Sequence, residues 1–242
     1  MNRPLIMAHR GFRGVAPENT MAAFRAAVAA GADGIELDVH LTRDGVPVIL
    51  HDERLDRTCD AQGFVRDYSL AELRRVRAAG HSGVQEDVGV PTLREYLTWA
   101  REQPIFTNIE IKDNTWYYAE IEEKVCALVE ELGMEEKVIF SCFNHASLSL
   151  AKSRLPDVGC GALCERPIGN AGAYLDAVGL DFLHPEYHHL RKEDVENCHA
   201  HGIGVNVWGV NLEEEILGAC AMGVDGIITD EVERAVRLLR DM

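Results

Sequence analysis

The stretch GIELDVHLTRDGVPVIL, Gly34–Leu50, decides the architecture. It holds two β-runs, Gly34–Leu41 and Val46–Leu50, separated only by Thr42-Arg43-Asp44-Gly45. A parallel crossover needs about a dozen residues or more, so these two runs must pair antiparallel. Asp44-Gly45 is a dipeptide suited to the tight turn of such a hairpin. Period-2 geometry puts Glu36 and Asp38 on one face of the first run and Leu37 on the other.

Working outward, the same β-rich character recurs at Leu5–His9, Ile105–Ile111, Val138–Phe143, Val158–Leu163, Phe182–His184, Ile203–Trp208 and Gly226–Thr229. Between most of these runs lie stretches with apolar residues at helical spacing, such as Thr20–Ala30, Tyr118–Leu132, Glu193–Ala200 and Glu213–Met222. Gly31, Gly133, Gly202 and Gly223 follow these stretches, where a helix end favours a left-handed residue. Strand–helix alternation of this kind means parallel βα units. Nine strands are one too many for an eight-fold barrel, and the hairpin resolves the excess. Setting Val46–Leu50 aside as an excursion leaves eight βα units in 242 residues. About 250 residues is the usual size of a (β/α)8 TIM barrel. The expectation is a single barrel domain over 1–242. The alternative is a doubly wound open sheet, but no glycine-rich dinucleotide fingerprint follows the first strand. Residues from Asp52 to about Thr92 fit the alternation poorly. With a helical piece at Leu70–Val76 and a polar loop at Gly80–Gly89, they read as an insertion lying over the barrel mouth.

Lys and Arg total 24 against 40 Asp and Glu, for a net charge of −16. This disfavours nucleic acid or an anionic membrane as the main partner. No run approaches the roughly 18 apolar residues of a membrane span. The seven cysteines include no C-x-x-C pair and read as reduced thiols that fill space in a cytoplasmic protein.

In a barrel of this kind the strand C-termini and the loops after them build the active site. The first strand ends in His9-Arg10-Gly11, the second carries Glu36 and Asp38, the hairpin ends in His51-Asp52, and Asn108-Ile109-Glu110-Ile111-Lys112 repeats the alternating pattern. Later strand ends supply Ser141, Glu165, Glu186, Trp208 and Asp230. Three carboxylates converging on one pocket repel, and a divalent cation holds such a set together. All-oxygen ligands point to Mg²⁺, Ca²⁺ or Mn²⁺ rather than zinc. His9 and His51 at strand ends suit a reaction that accepts one proton and donates another. Arg10 and Lys112 add fixed positive charge able to hold a phosphate. Together these residue types point to phosphoryl-ester chemistry, with decarboxylation or isomerisation of an acidic metabolite still open. Of the other histidines, His188-His189 and His199/His201 read as surface positions. Asn19 reads as the cap of the helix that begins near Thr20.

The motifs HRG (His9–Gly11), APENT (Ala16–Thr20), GIELDVHLTRDG (Gly34–Gly45), VILHD (Val48–Asp52), PTL (Pro91–Leu93), NIEIK (Asn108–Lys112), VNVWGVN (Val205–Asn211) and DGIITD (Asp225–Asp230) run in one order over nearly the whole chain. In this set the sequence resembles the glycerophosphodiester phosphodiesterases, of the same superfamily as the phosphatidylinositol-specific phospholipases C. The resemblance implies a TIM barrel that hydrolyses glycerophosphodiesters to an alcohol and sn-glycerol 3-phosphate. It implies His9 and His51 as the catalytic acid and base, Glu36, Asp38 and Glu110 as ligands of the divalent metal, and Arg10 and Lys112 as phosphate holders. The Trp208 indole either packs in the core or covers the glycerol carbons. The expected partner is a small-molecule glycerophosphodiester, with a homo-oligomer possible in principle. Gly209, where threonine is common, and Val232, where proline is frequent, depart from the family pattern outside the metal–histidine core. Related phosphodiesterases of lysophospholipids or phosphoinositides, and a non-catalytic phosphodiester-binding protein, are the alternatives. The polar character of Arg66-Asp67-Tyr68 and Gln85-Glu86-Asp87 in the insertion disfavours a lipid substrate.

Overall fold

The computed structural model describes residues 3–78, 88–113 and 116–240. Its strands are β1 (Leu5–His9), β2 (Gly34–Leu41), β3 (Pro47–Ile49), β4 (Phe106–Ile111), β5 (Val138–Cys142), β6 (Gly159–Cys164), β7 (Phe182–Pro185), β8 (Gly204–Trp208) and β9 (Gly226–Thr229). Its helices are α1 (Met21–Ala29), α2 (Leu70–Leu73), α3 (Leu93–Ala100), α4 (Ile121–Leu132), α5 (His145–Arg154), α6 (Ala171–Val178), α7 (Lys192–Ala200), α8 (Glu213–Met222) and α9 (Val232–Leu239).

The hairpin forms as its sequence requires. Val39 pairs antiparallel with Ile49 and Leu41 with Pro47. The turn is closed by the Gly45 N–H on the Thr42 carbonyl at 2.9 Å, and Gly45 takes the left-handed φ of +74° that the turn demands. The other eight strands are parallel and close on themselves in the order β1-β9-β8-β7-β6-β5-β4-β2, with β2 returning to β1. That is a (β/α)8 TIM barrel with β3 as the excursion. The interior at the N-terminal end is filled by alternating large and absent side chains. A Cβ at Gly204 would lie 2.7 Å from the Phe182 ring and one at Gly159 2.8 Å, so glycine is what makes room for that ring.

Two apolar cores form. The larger joins the outward faces of the strands to the helices, with Ile35, Leu37, Val39, Ile109, Ile111, Phe24 and Tyr96 among its members. The smaller gathers Val48 and Leu50 with Leu55, Cys59, Val65, Leu73, Val76 and Val90 of the segment that follows. β3 belongs to both, because alternation sends Ile49 to the first while Val48 and Leu50 serve the second. The helical piece expected over Leu70–Val76 is shorter than that. α2 ends at Leu73, capped at its start by Ser69 and Glu72. Residues 80–87 of the expected polar loop, including Gln85-Glu86-Asp87, lie outside the described residues. No helix among the described residues is long and apolar enough to cross a membrane.

Candidate active site

The C-terminal ends of the strands surround a cavity of about 330 Å³. His9, Arg10, Glu36, His51, Glu110, Lys112 and Trp208 all line it. Asp38 stands just behind, 0% exposed. Glu36, Asp38 and Glu110 come together as the alternation required, each offering an oxygen within 4.8 Å of the others. Cross-strand register produces this, because Glu36 lies beside Asn108, and Asp38 beside Glu110, in the parallel β2–β4 pair.

The β1 end is shaped by its backbone. Arg10 has φ +57°, an uncommon conformation for a residue with a side chain, and Gly11 follows at +77°. This turn aims the Arg10 backbone N–H at Glu36 Oε2, 2.9 Å away. The Arg10 side chain then reaches Glu18 Oε1 at 2.9 Å, lies 3.6 Å from Asp38 Oδ2, and donates through Nε to His9 Nε2 at 3.1 Å. Lys112, one alternation step beyond Glu110, places Nζ 2.6 Å from Glu110 Oε1 and 3.0 Å from Asp38 Oδ1.

These contacts divide the carboxylates into two kinds. Burial opposes the Asp38 charge, but the Lys112 ammonium and the Arg10 guanidinium outweigh it and hold Asp38 well below the usual carboxylate range. Glu36 moves the other way, pushed well up by burial and by the charges of Asp38 and Glu110. Glu110 is also raised, by burial first, against the pull of Lys112. With all three ionised the cluster would carry one more negative charge than Lys112 and Arg10 balance, and the upward shifts of Glu36 and Glu110 are the mark of that repulsion, which a divalent cation would relieve. Three buried carboxylates with no nitrogen or sulfur among them are hard oxygen donors that fit Mg²⁺, Ca²⁺ or Mn²⁺.

Each histidine is paired with an aspartate. His9 Nδ1 lies 2.7 Å from Asp230 Oδ1, and His51 Nδ1 lies 2.7 Å from Asp52 Oδ1. A carboxylate on Nδ1 fixes the tautomer and leaves Nε2 for other work. Burial pushes the His51 imidazole below its ordinary range, and the Asp52 hydrogen bond only partly offsets this. Asp52 is itself gripped by Arg57 at 2.7 and 2.9 Å, and Arg57 reaches Glu18 at 2.7 Å. A chain of ion pairs and hydrogen bonds thus runs from His51 through Asp52 and Arg57 to Glu18, Arg10 and His9.

Asn19 does not cap α1. Thr20 does, accepting from the Ala23 N–H at 3.2 Å. The chain takes a left-handed φ of +57° at Asn19, its backbone N–H meets the Arg10 carbonyl, and its Nδ2 donates to Asp38 Oδ2 at 2.7 Å. The side chain therefore positions a carboxylate of the cluster. The Trp208 indole lines the cavity while Nε1 donates to the His184 carbonyl at 3.0 Å, and its ring meets Phe143 edge-on with centroids 6.4 Å apart. Sequence reasoning passed over His40, Asn108, Phe143 and Leu163, which also line the cavity. His40 is held at the back by Tyr118 Oη at 3.1 Å, and burial lowers it to about 4, so it is neutral. His188, His189, His199 and His201 are surface residues as expected, and all seven cysteines are free thiols.

Comparison with known proteins agrees with this geometry. The model of the glycerophosphoryl diester phosphodiesterase family matches residues 9–234. A glycerophosphodiester phosphodiesterase of Caldanaerobacter subterraneus subsp. tengcongensis is 39% identical over 240 residues, covering 98% of each chain. One from Bacillus altitudinis is 40% identical over 242 residues, again covering 98% of each. Among solved structures, a phosphodiesterase of Oleispira antarctica in complex with the product sn-glycerol-3-phosphate superposes with a TM-score of 0.87. It is 29% identical and covers 98% of this chain and 97% of its own. With three carboxylates, two histidine–aspartate pairs and two cations around one cavity of a TIM barrel, and relatives matched over nearly their full length, this chain belongs to the glycerophosphoryl diester phosphodiesterase family of phosphoric diester hydrolases.

Proposed function

We propose that the protein hydrolyses glycerophosphodiesters to an alcohol and sn-glycerol 3-phosphate, with Glu36, Asp38 and Glu110 holding a divalent cation and His9 and His51 moving the protons. The observation that carries this reading is the pair of histidine–aspartate contacts bordering the same cavity as the carboxylate cluster. The Oleispira relative, solved with sn-glycerol-3-phosphate, supports the product.

A divalent cation bound by the three carboxylates supplies positive charge to the phosphodiester oxygens as they become more negative. Lys112 has three N–H donors, of which one goes to Glu110 while the ammonium also lies 3.0 Å from Asp38 Oδ1, so a donor remains for a phosphate oxygen. Arg10 brings a second positive charge and can turn its Nε–H from His9 to the substrate. His51, kept unprotonated by burial, takes the proton of the attacking oxygen, whether that oxygen is the glycerol 2-hydroxyl or water. His9, with Asp230 behind it, gives a proton to the leaving alkoxide. Asp52 and Asp230 stabilise the imidazolium form of each ring when it occurs. Trp208 and Phe143 offer apolar surface to the glycerol carbons. The test is incubation of the purified protein with glycerophosphocholine, glycerophosphoethanolamine and glycerophosphoglycerol in the presence of Mg²⁺ or Ca²⁺, measuring sn-glycerol 3-phosphate. No release from any of the three would reject the reading.

A further inference from the structure

Several polar side chains inside the barrel have partners. Asn206 Nδ2 reaches His184 Nε2 at 3.0 Å, although His184 Nδ1 is left without a partner away from the cavity lining, and Tyr96 Oη lies 2.9 Å from Thr107 Oγ1. Asn108 and Ser141 differ. Both are 0% exposed, both line the active-site cavity, and neither Oδ1 nor Nδ2 of Asn108 nor Oγ of Ser141 has a protein partner. They sit on adjacent strands at the floor of the site. Ser141 is level with Glu110 across β4–β5, and Asn108 is level with Glu36 across β2–β4.

An unpaired buried amide or hydroxyl destabilises the fold, so an interior keeps such groups where something arrives to pair with them. Apolar residues are compatible with this part of the barrel, since Leu163 on β6 and Ile228 on β9 line the same cavity. The cavity lining therefore combines apolar Leu163, Ile228 and Trp208 with three orphaned polar atoms. A cation would use oxygen acceptors alone. This floor also offers donors, two N–H on the amide and one O–H on the serine. Groups that both donate and accept, on a short carbon chain, match it.

We propose that the Asn108 amide and the Ser141 hydroxyl bind the free hydroxyls of the glycerol moiety, with its carbons against Leu163, Ile228 and Trp208; this rests on the glycerophosphodiester reading above. Two hydroxyls, each a donor and an acceptor, satisfy all three orphaned atoms. The consequence is that the glycerol half is selected by hydrogen bonds, whereas the phosphate is held by charge.

The test is calorimetric titration of the protein in saturating Ca²⁺ with sn-glycerol 3-phosphate and, separately, with methyl phosphate, which lacks hydroxyls. The wild type is expected to favour sn-glycerol 3-phosphate by roughly tenfold or more. Ser141→Ala and Asn108→Ala are each expected to weaken sn-glycerol 3-phosphate about five- to tenfold, the scale of a lost neutral hydrogen bond. Methyl phosphate should stay within about twofold, and thermal stability should not fall, since an orphaned group has been removed. A wild type that does not discriminate between the two ligands overturns the proposal. So do variants that lose both ligands equally, the sign of a role in the fold or at the cation, and variants that lose neither. If Asn108→Ala does not fold, Ser141→Ala decides alone. Glycerophosphodiester turnover is measured separately, so that intact discrimination without hydrolysis would reject the activity and leave the subsite standing.

Discussion

Lys112 offers the sharpest test of how the carboxylate cluster is balanced. Its ammonium contacts Asp38 at 3.0 Å and Glu110 at 2.6 Å, with its side chain 11% exposed. Replacing it with methionine keeps most of the volume and removes the charge. Breaking a buried ion pair costs about 3–5 kcal/mol, because the partner is left charged and uncompensated. Here the lower end applies, since Glu36 and Glu110 are already pushed upward and can take up a proton. For a chain of this size about 3 kcal/mol corresponds to ~6–12 °C in Tm. That drop is expected in chelator. A divalent cation at about 100 times its Kd adds ~2.7 kcal/mol to the folded state. It also supplies the missing counter-charge, so it should bind the variant more tightly than the wild type. Differential scanning calorimetry of both proteins, in chelator and in saturating Ca²⁺, measures the gap between them. The gap should close by more than half on adding the cation. An equal gap in the two conditions, or no gap in chelator, would refute the argument that these charges are coupled.

Other outcomes follow from the same geometry. His9→Ala and His51→Ala should each lower kcat by at least ~10²-fold, the usual scale of lost acid–base help; near-full activity in either removes that residue from the mechanism. Exhaustive chelation should abolish turnover and Mg²⁺, Ca²⁺ or Mn²⁺ should restore it, whereas unchanged turnover would take Glu36, Asp38 and Glu110 out of the metal role. Burial depresses the His51 imidazole, so its neutral form persists below the ordinary histidine range and is lost as pH falls. The acid limb of kcat/KM should therefore lie below about pH 6.5, and a limb above that value would contradict His51 as the base. Asn19→Ala frees Asp38 Oδ2 from its 2.7 Å hydrogen bond and should weaken Ca²⁺ binding by about tenfold, the effect expected of a lost contact behind a metal ligand. Unchanged Ca²⁺ affinity by calorimetry would return Asn19 to a purely structural place.

What the sequence showed and what it hid divide along a physical line. The nine strands stand within one or two residues of their expected bounds because each was flagged by β-rich composition and closed by a turn. The alternation of Glu36 with Asp38, and of Glu110 with Lys112, was readable because period 2 is a local property of one strand. Asn19 was misread for the opposite reason. Its position beside Thr20 matched a helix cap, and its contact with Asp38 depends on a left-handed turn no periodicity encodes. The pairing of His9 with Asp230 joins residues 221 apart and becomes visible only when β9 closes on β1. Ser141 was visible as a polar strand end and Asn108 as part of a motif, but their lack of partners could be seen only in the folded barrel.

The division of β3 between two apolar clusters has a consequence for how this molecule can change. Ile49 anchors the hairpin to the barrel, while Val48 and Leu50 pack with a separate set of residues from the segment that follows. Leu55, Val65 and Leu73 pack within that smaller cluster, apart from the one shared by the barrel helices. His51 stands two residues past Ile49, so the anchored strand holds its position. Such a layout pins the strand that leads to His51 to the barrel and gives the segment after it a small core of its own. A change in that small core need not be transmitted to the larger one.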